Sequence, residues 1–288
     1  MSRYFTRRLE PAARLTAANG GWYSTRVPPA VLLETVDLTC AFGSLLAVNR
    51  ASVTVHEGEL RSIIGPNGAG KTTLFRLVAG ELAPTSGRIR FRGREITGLP
   101  QWETCRLGIA KSYQITNVFP HLTVLENVRV AAQGPVRAYD FWSRSDRLPD
   151  VRMRALTLLE TVGLAGKAAL LAAHLSHGEK RHLEIGIALA SDPALLLLDE
   201  PTAGMSPEET DETMALIRQL AATRTIVLVE HKMKLVMNIS DRVTVLHQGQ
   251  VLAEGTPDEI RANAQVQQTY LGAAGDGIAR AAGGVVVR

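Results

Sequence analysis

The stretch IIGPNGAGKTTLF, Ile63 to Phe75, limits what this chain can fold into more than any other. Two β-branched residues enter a loop with glycines at 65, 68 and 70; a lysine, two threonines and an apolar segment follow. Residues 65–72, GPNGAGKT, fit the phosphate-loop pattern G-x-x-x-x-G-K-[ST], which joins a strand to a helix. Such a loop turns backbone N–H groups inward around phosphate oxygens, and the helix N-terminus adds its dipole. Gly65, Pro66, Asn67, Gly68, Ala69, Gly70, Lys71, Thr72 and Thr73 are therefore expected to hold a nucleoside triphosphate. Lys71 would reach the β- and γ-phosphates, and the Thr72 hydroxyl would ligate Mg²⁺.

A second cluster fits the same site. ALLLLDE (194–200) is an apolar run ending in two acids, the pattern of a strand buried on both faces of a parallel sheet. Such sheets bind ligands at the C-terminal ends of their strands. Asp199 is placed to hold Mg²⁺, directly or through water, and Glu200 to polarise the attacking water as general base.

The rest of the pattern is α/β. VLLETVDLTCAFG (31–43) and ASVTVHEGELRSIIG (51–65) alternate like strands, and SGRIRFRG (86–93) reads as an outer strand. Helices are expected over 70–79, 123–133, 151–163 and 178–190, and over 206–222 with Ser206 as cap and Pro207 first in the helix. TIVLVEH (225–231) reads as another buried strand, and 242–255 as a hairpin around Gln248-Gly249. Strands alternating with helices indicate a mainly parallel core sheet, interrupted by a helical block at about 115–190. Residues 1–30 read as a disordered extension, 31–272 as the folded domain, and 273–288 as a low-complexity, disordered tail.

The net charge of +4 raises a nucleic-acid reading, but its location argues against one. Residues 1–30 carry five arginines against the single acid Glu10, so the remainder is neutral; a duplex-binding domain normally carries a basic stripe. Cys40 and Cys105 form no disulfide framework and read as reduced thiols in a cytosolic protein. No apolar run approaches the ~18–20 residues that span a bilayer. His174, His177 and His182 lie close in sequence, but no cysteine or further ligand accompanies them as a metal site requires.

LSHGE (175–179) completes a set of motifs. With the loop at 65–72 and LLLLDEPTAG at 195–204, the chain resembles the ATP-binding cassette (ABC) ATPases over about 31–272. The resemblance implies a P-loop NTPase fold with an N-terminal antiparallel β subdomain and an inserted helical subdomain. The family signature LSGGQ is here LSHGE: Ser176 and Gly178 are kept, and His177 and Glu179 depart from it. Ser176 and the N–H groups opening the following helix, Gly178 among them, form a second anion site. In the family that site clamps the γ-phosphate of ATP on another subunit, so that two ATP molecules are sandwiched in a head-to-tail dimer. Phe42 resembles the aromatic that stacks on adenine, Gln114 the glutamine that senses Mg²⁺ and water, and His231 the histidine that contacts the γ-phosphate. Ala203-Gly204-Met205-Ser206 replaces the usual SALD.

Residues 113–133 and 239–260 look like ATPase subunits of branched-chain or hydrophobic amino-acid uptake systems, and LSHGEKRHLEIG is also similar to the urea and short-amide branch. The resemblance implies two cassette subunits, identical or sister, at the cytoplasmic face of the inner membrane, energising two permease subunits fed by a periplasmic binding protein. Ile115, Val118, Phe119 and Leu122 would suit a groove facing the permease, although core packing is expected to claim two or more of them. The rival readings are a lipid exporter, a soluble DNA-repair or ribosome-acting cassette, and a degenerate regulatory one. The chain's single cassette, absent heptad arm and full catalytic set argue against the last two.

Overall fold

The structure is a computed structural model that describes residues 29–112, 118–133 and 149–271. Strands β1 (Val31–Phe42) and β2 (Leu45–His56) pair antiparallel, and alternate residues such as Leu33, Val53 and Val55 turn inward. The turn at Glu57-Gly58 then sends the chain into a different sheet as β3 (Leu60–Ile64). The expected single run over 51–65 is thus two strands: the alternation of β2 gives way to five consecutive buried residues in β3.

After β3 and the 65–70 loop come helix α1 (Lys71–Val78), then β4 (Ser86–Phe91) and the two-residue β5 (Arg94–Glu95). The antiparallel sheet has the order β2-β1-β4-β5, so β4 lies inside its short edge strand rather than at the edge. Helix α2 (Gln101–Leu107) leads into β6 (Ile109–Ser112). Helices α3 (Val124–Gln133), α4 (Pro149–Thr161) and α5 (His177–Leu189) pack around Val128, Leu159, Val162 and Leu183.

The core sheet is completed by β7 (Leu195–Asp199), β8 (Thr225–Val229), β9 (Arg242–His247) and β10 (Gln250–Gly255), in the order β10-β9-β3-β8-β7-β6. Every pairing is parallel except the β9–β10 hairpin. The hairpin turns at Gln248 (φ 49°) and Gly249 (φ 79°), and two successive left-handed residues fit a type I′ turn. Helix α6 (Pro207–Ala221) starts as expected, with Ser206 as cap and Pro207 first, and α7 (Met233–Ile239) and α8 (Pro257–Ala262) follow.

Register fixes what the fold presents. Val229 stands opposite both Ile63 and Asp199, so β3, β7 and β8 end level with one another. The loop after β3, the acids ending β7 and the histidine after β8 therefore emerge at one edge of the sheet. The tails expected to be disordered lie, up to residue 28 and from 272, outside the described residues.

Candidate nucleotide site

The loop between β3 and α1 is fixed by backbone geometry. Gly70, the N-cap of α1, sits at φ 97°, and a Cβ there would lie 2.2 Å from the Ala47 carbonyl oxygen. Only glycine meets both conditions without strain. The Gly249 N–H donates to the Ala69 carbonyl at 3.0 Å, and the Gly249 carbonyl accepts from the Asn49 N–H at 2.8 Å. The hairpin turn thus clips the loop to the antiparallel sheet. Sequence reasoning found that turn as a hairpin but not as a brace, because its partners lie about two hundred residues away.

Lys71 is buried, and its ammonium donates to the carbonyls of Gly65 at 2.8 Å and Pro66 at 3.1 Å. Burial lowers its pKa, against the opposing pull of Glu200 and Asp199. The lysine therefore lies across its own loop, within the electrostatic field of both acids. Thr72 is exposed, Thr73 half-buried and Ala69 buried, while Asn67 and Gly68 face solvent at the loop tip.

Asp199 ends β7 with 3% exposure, and its Oδ1 is a buried acceptor without a donor. Burial raises its pKa, with Glu200 pushing the same way and Lys111, Arg181 and Lys71 opposing. An orphaned, desolvated carboxylate oxygen at the strand end, at the same sheet edge as the loop that carries the Thr72 hydroxyl, is the kind of oxygen donor that suits a hard cation such as Mg²⁺. Glu200 follows at φ 45°, a left-handed conformation that reverses the chain direction as the strand ends. Its Oε1 lies 3.3 Å from His231 Nδ1.

Behind this pair lies Glu230, which sequence reasoning missed. It is buried; its Oε1 accepts from the Thr202 hydroxyl at 2.6 Å and the Thr202 N–H at 3.1 Å, and its Oε2 accepts from the His231 N–H at 3.2 Å. The one available signal was an acid inside the strand-like run TIVLVEH.

Phe42 ends β1 and is 49% exposed, free to stack against a flat ring. Gln114 and Ile115 lie outside the described residues. Of the other three groove candidates, Val118 packs against the helical core, whereas Phe119 and Leu122 are exposed.

The signature segment begins α5. Ser176 caps the helix by accepting from the Glu179 N–H at 3.2 Å, and the Glu179 carboxylate accepts from the Ser176 N–H at 3.0 Å. The Lys167 ammonium bonds to Glu179 and holds its carboxyl below the usual range. Glu179 closes a capping box, as the glutamine of LSGGQ also could, and its charge adds the ion pair with Lys167. His177 Nε2 lies 3.0 Å from the Ala203 carbonyl, so the signature loop docks on the turn that follows Glu200. His182 instead faces Thr213, and burial lowers its pKa. No group of three metal-ligating side chains occurs among the described residues. Arg181 donates to the Asp199 backbone carbonyl and to Glu184, which couples α5 to the strand bearing the acids.

The family model for ABC transporters matches residues 48–203, and a model described as branched-chain amino acid ATP-binding cassette transporter matches 250–276. The chain is 43% identical over 252 residues to the high-affinity branched-chain amino acid transport ATP-binding protein LivG of Salmonella typhimurium, covering 84% of this chain and 98% of that one. An ATP-binding cassette of an ABC transporter in its ADP conformation superposes with a TM-score of 0.76 at 29% identity, covering 84% and 99%. A dimeric cassette bound to ADP and Pi superposes with a TM-score of 0.67 at 26% identity, covering 78% and 99%. A phosphate loop braced by a hairpin, two acids level with it, and relatives that match along nearly their whole length lead to one assignment: the chain belongs to the ATP-binding proteins of ABC transporters.

Proposed function

We propose that the chain is the ATP-hydrolysing subunit of an importer for branched-chain or other hydrophobic amino acids. The observation that carries this reading is the meeting of Lys71, Asp199, Glu200 and His231 at one sheet edge, in a chain whose relative LivG is named for that transport. Phe42 stacks on adenine and the 65–73 loop wraps the phosphates, while Thr72, Asp199 and Gln114 would hold Mg²⁺. The ion would neutralise phosphate charge there. Glu200 orients the water and takes its proton as the new P–O bond forms at the γ-phosphorus. The bond to the β-phosphate oxygen breaks, and ADP and inorganic phosphate leave. His231, whose Nδ1 lies 3.3 Å from Glu200 Oε1, contacts the γ-phosphate. ATP binding closes the dimer through differential affinity for open and closed states, and hydrolysis reopens it.

Among the described residues no helix is long and apolar enough to cross a membrane. The cassette binds peripherally, at the cytoplasmic face, to two permease subunits and pairs with a second cassette. A periplasmic binding protein acts at one remove, and no nucleic acid is involved. Phe119, Leu122, Leu170 and Leu171 are exposed apolar residues. The last three are knit together by Ala172 N–H to Leu122 carbonyl at 3.0 Å and Val124 N–H to Leu170 carbonyl at 2.9 Å, and they suit the permease contact.

The test is capture of tagged Glu200→Gln protein with ATP and Mg²⁺ from detergent-solubilised membranes of its own host, followed by mass spectrometry. Polytopic permease subunits and a second cassette support the reading. Ribosomal or repair proteins without a membrane partner overturn it.

A further inference from the structure

At the head of α5, the two donors that the sandwich would turn toward a partner's γ-phosphate already have an acceptor. The Ser176 hydroxyl donates to Glu209 Oε1 at 3.1 Å, and the Gly178 N–H donates to the same oxygen at 3.0 Å. The other carboxylate oxygen accepts from the Ser206 N–H at 3.2 Å. Glu209 thus closes the capping box of its own helix, α6, and also lays a negative oxygen over the start of a second helix. A capping box alone requires only the first of these contacts.

Carboxylate and phosphoryl oxygens are both anionic acceptors suited to a helix N-terminus, and they compete for the same N–H. The carboxylate leaves little space: a Cβ built on Gly178 would lie 3.0 Å from Glu209 Oε1. The hydrogen bonds from Gly178, Ser206 and Ser176 hold the Glu209 carboxyl below its ordinary range, so it is ionised at neutral pH.

We propose that Glu209 is an internal phosphate mimic, a latch that fills the Ser176–Gly178 cradle in the open cassette and must swing out before a partner's ATP can enter. The inference rests on the sandwich reading given above. Release is feasible because the Glu209 N–H keeps its 3.2 Å bond to the Ser206 hydroxyl whichever way the side chain turns, so α6 loses one of two capping bonds. The incoming γ-phosphate carries more charge and more acceptor oxygens than the carboxylate it displaces. With His177 holding Ala203, the latch pins the start of α5 to the start of α6 until nucleotide arrives from the other subunit.

The experiment uses the full chain in the Glu200→Gln background, with Glu209→Ala and the isosteric Glu209→Gln. Dimerisation with Mg²⁺ and ATP is followed by sedimentation across protein concentrations, and ATP affinity is measured separately on each monomer. Both variants are expected to bind ATP as their parent does. The dimer dissociation constant should fall about threefold to tenfold, with glutamine giving the smaller change, as follows from removing one charged competitor. Glu209→Ala also removes half of a capping box, so melting temperatures are recorded; if that variant is unstable, the glutamine variant decides. Dimers no tighter than the parent's overturn the latch and leave the sandwich standing. ATP binding without a dimer in all three proteins overturns the sandwich, and the latch with it.

Discussion

The Thr202 hydroxyl donates to the Glu230 carboxylate at 2.6 Å, joining the turn after Glu200 to the strand end that carries His231. Glu230 is buried and accepts three hydrogen bonds from the two segments, so it sets the distance between them. Glu230→Gln turns an acceptor into an amide donor beside the Thr202 or His231 N–H. The expected loss of stability is about 1–3 kcal/mol, the range for one unsatisfied buried polar group. ATPase turnover should fall further than the unfolded fraction explains, because Glu200 and His231 lose their spacing. Denaturant unfolding and steady-state ATPase assays on the same preparation test this; normal turnover would make Glu230 a purely structural residue.

Lys71→Ala is expected to abolish ATP binding or turnover while leaving the protein folded. Burial lowers the Lys71 pKa more than the two nearby acids raise it, so the charged lysine does not serve the nucleotide-free fold. A melting temperature close to the parent's, together with lost nucleotide fluorescence response, is the expected pair of results. Robust ATPase activity in this variant would sink the site assignment.

Asp199 gives a pH prediction. Its folded pKa is raised, chiefly by burial. Below the ordinary carboxylate range, folded and unfolded chains are both protonated and bear no penalty. As pH rises through the folded pKa, stability is lost, because ionisation is harder in the fold than out of it. Asp199→Asn removes the ionisation, so in the absence of Mg²⁺ and nucleotide it should melt higher than the parent at pH 7, with the gap closing on acidification. With ATP present, Mg²⁺ should raise the parent's melting temperature more than the variant's. Calorimetric scans across pH, with and without Mg²⁺, check both signs. A variant less stable than the parent at pH 7 would show that the ionised carboxylate has a partner that offsets its burial.

Much of this site was legible in the sequence because its motifs are local. The glycine spacing at 65–70, the five buried residues of β7 and the Ser206-Pro207 helix start each announce themselves within a dozen residues. Helix α2 and strand β6 did not. The seven residues of α2 bury only Thr104, so no apolar stripe marks the helix, and β6 has just four. Glu209, Glu230 and Gly249 were also invisible as site residues, because each acts on a segment brought close only by folding. Spacing assigned Ser176 and Gly178 correctly to one helix start but could not reveal the carboxylate lying over them.

The loop glycines separate two costs that sequence alone merges. Gly68 has φ 79° with nothing within 4 Å of a would-be Cβ, whereas Gly70 has φ 97° and faces the Ala47 carbonyl oxygen at 2.2 Å. Gly68→Ala bears only the left-handed penalty, about 1–2 kcal/mol. Gly70→Ala adds a backbone clash and must push β2 or the hairpin turn away, so it should cost several kcal/mol more than Gly68→Ala and open the Gly249–Ala69 bond. Both variants should bind ATP less well, because both residues belong to the proposed phosphate cradle, but only Gly70→Ala should lose hydrogen-exchange protection at Asn49 and Gly249. Equal destabilisation by the two would mean that the antiparallel sheet yields freely and that the hairpin does not brace the loop.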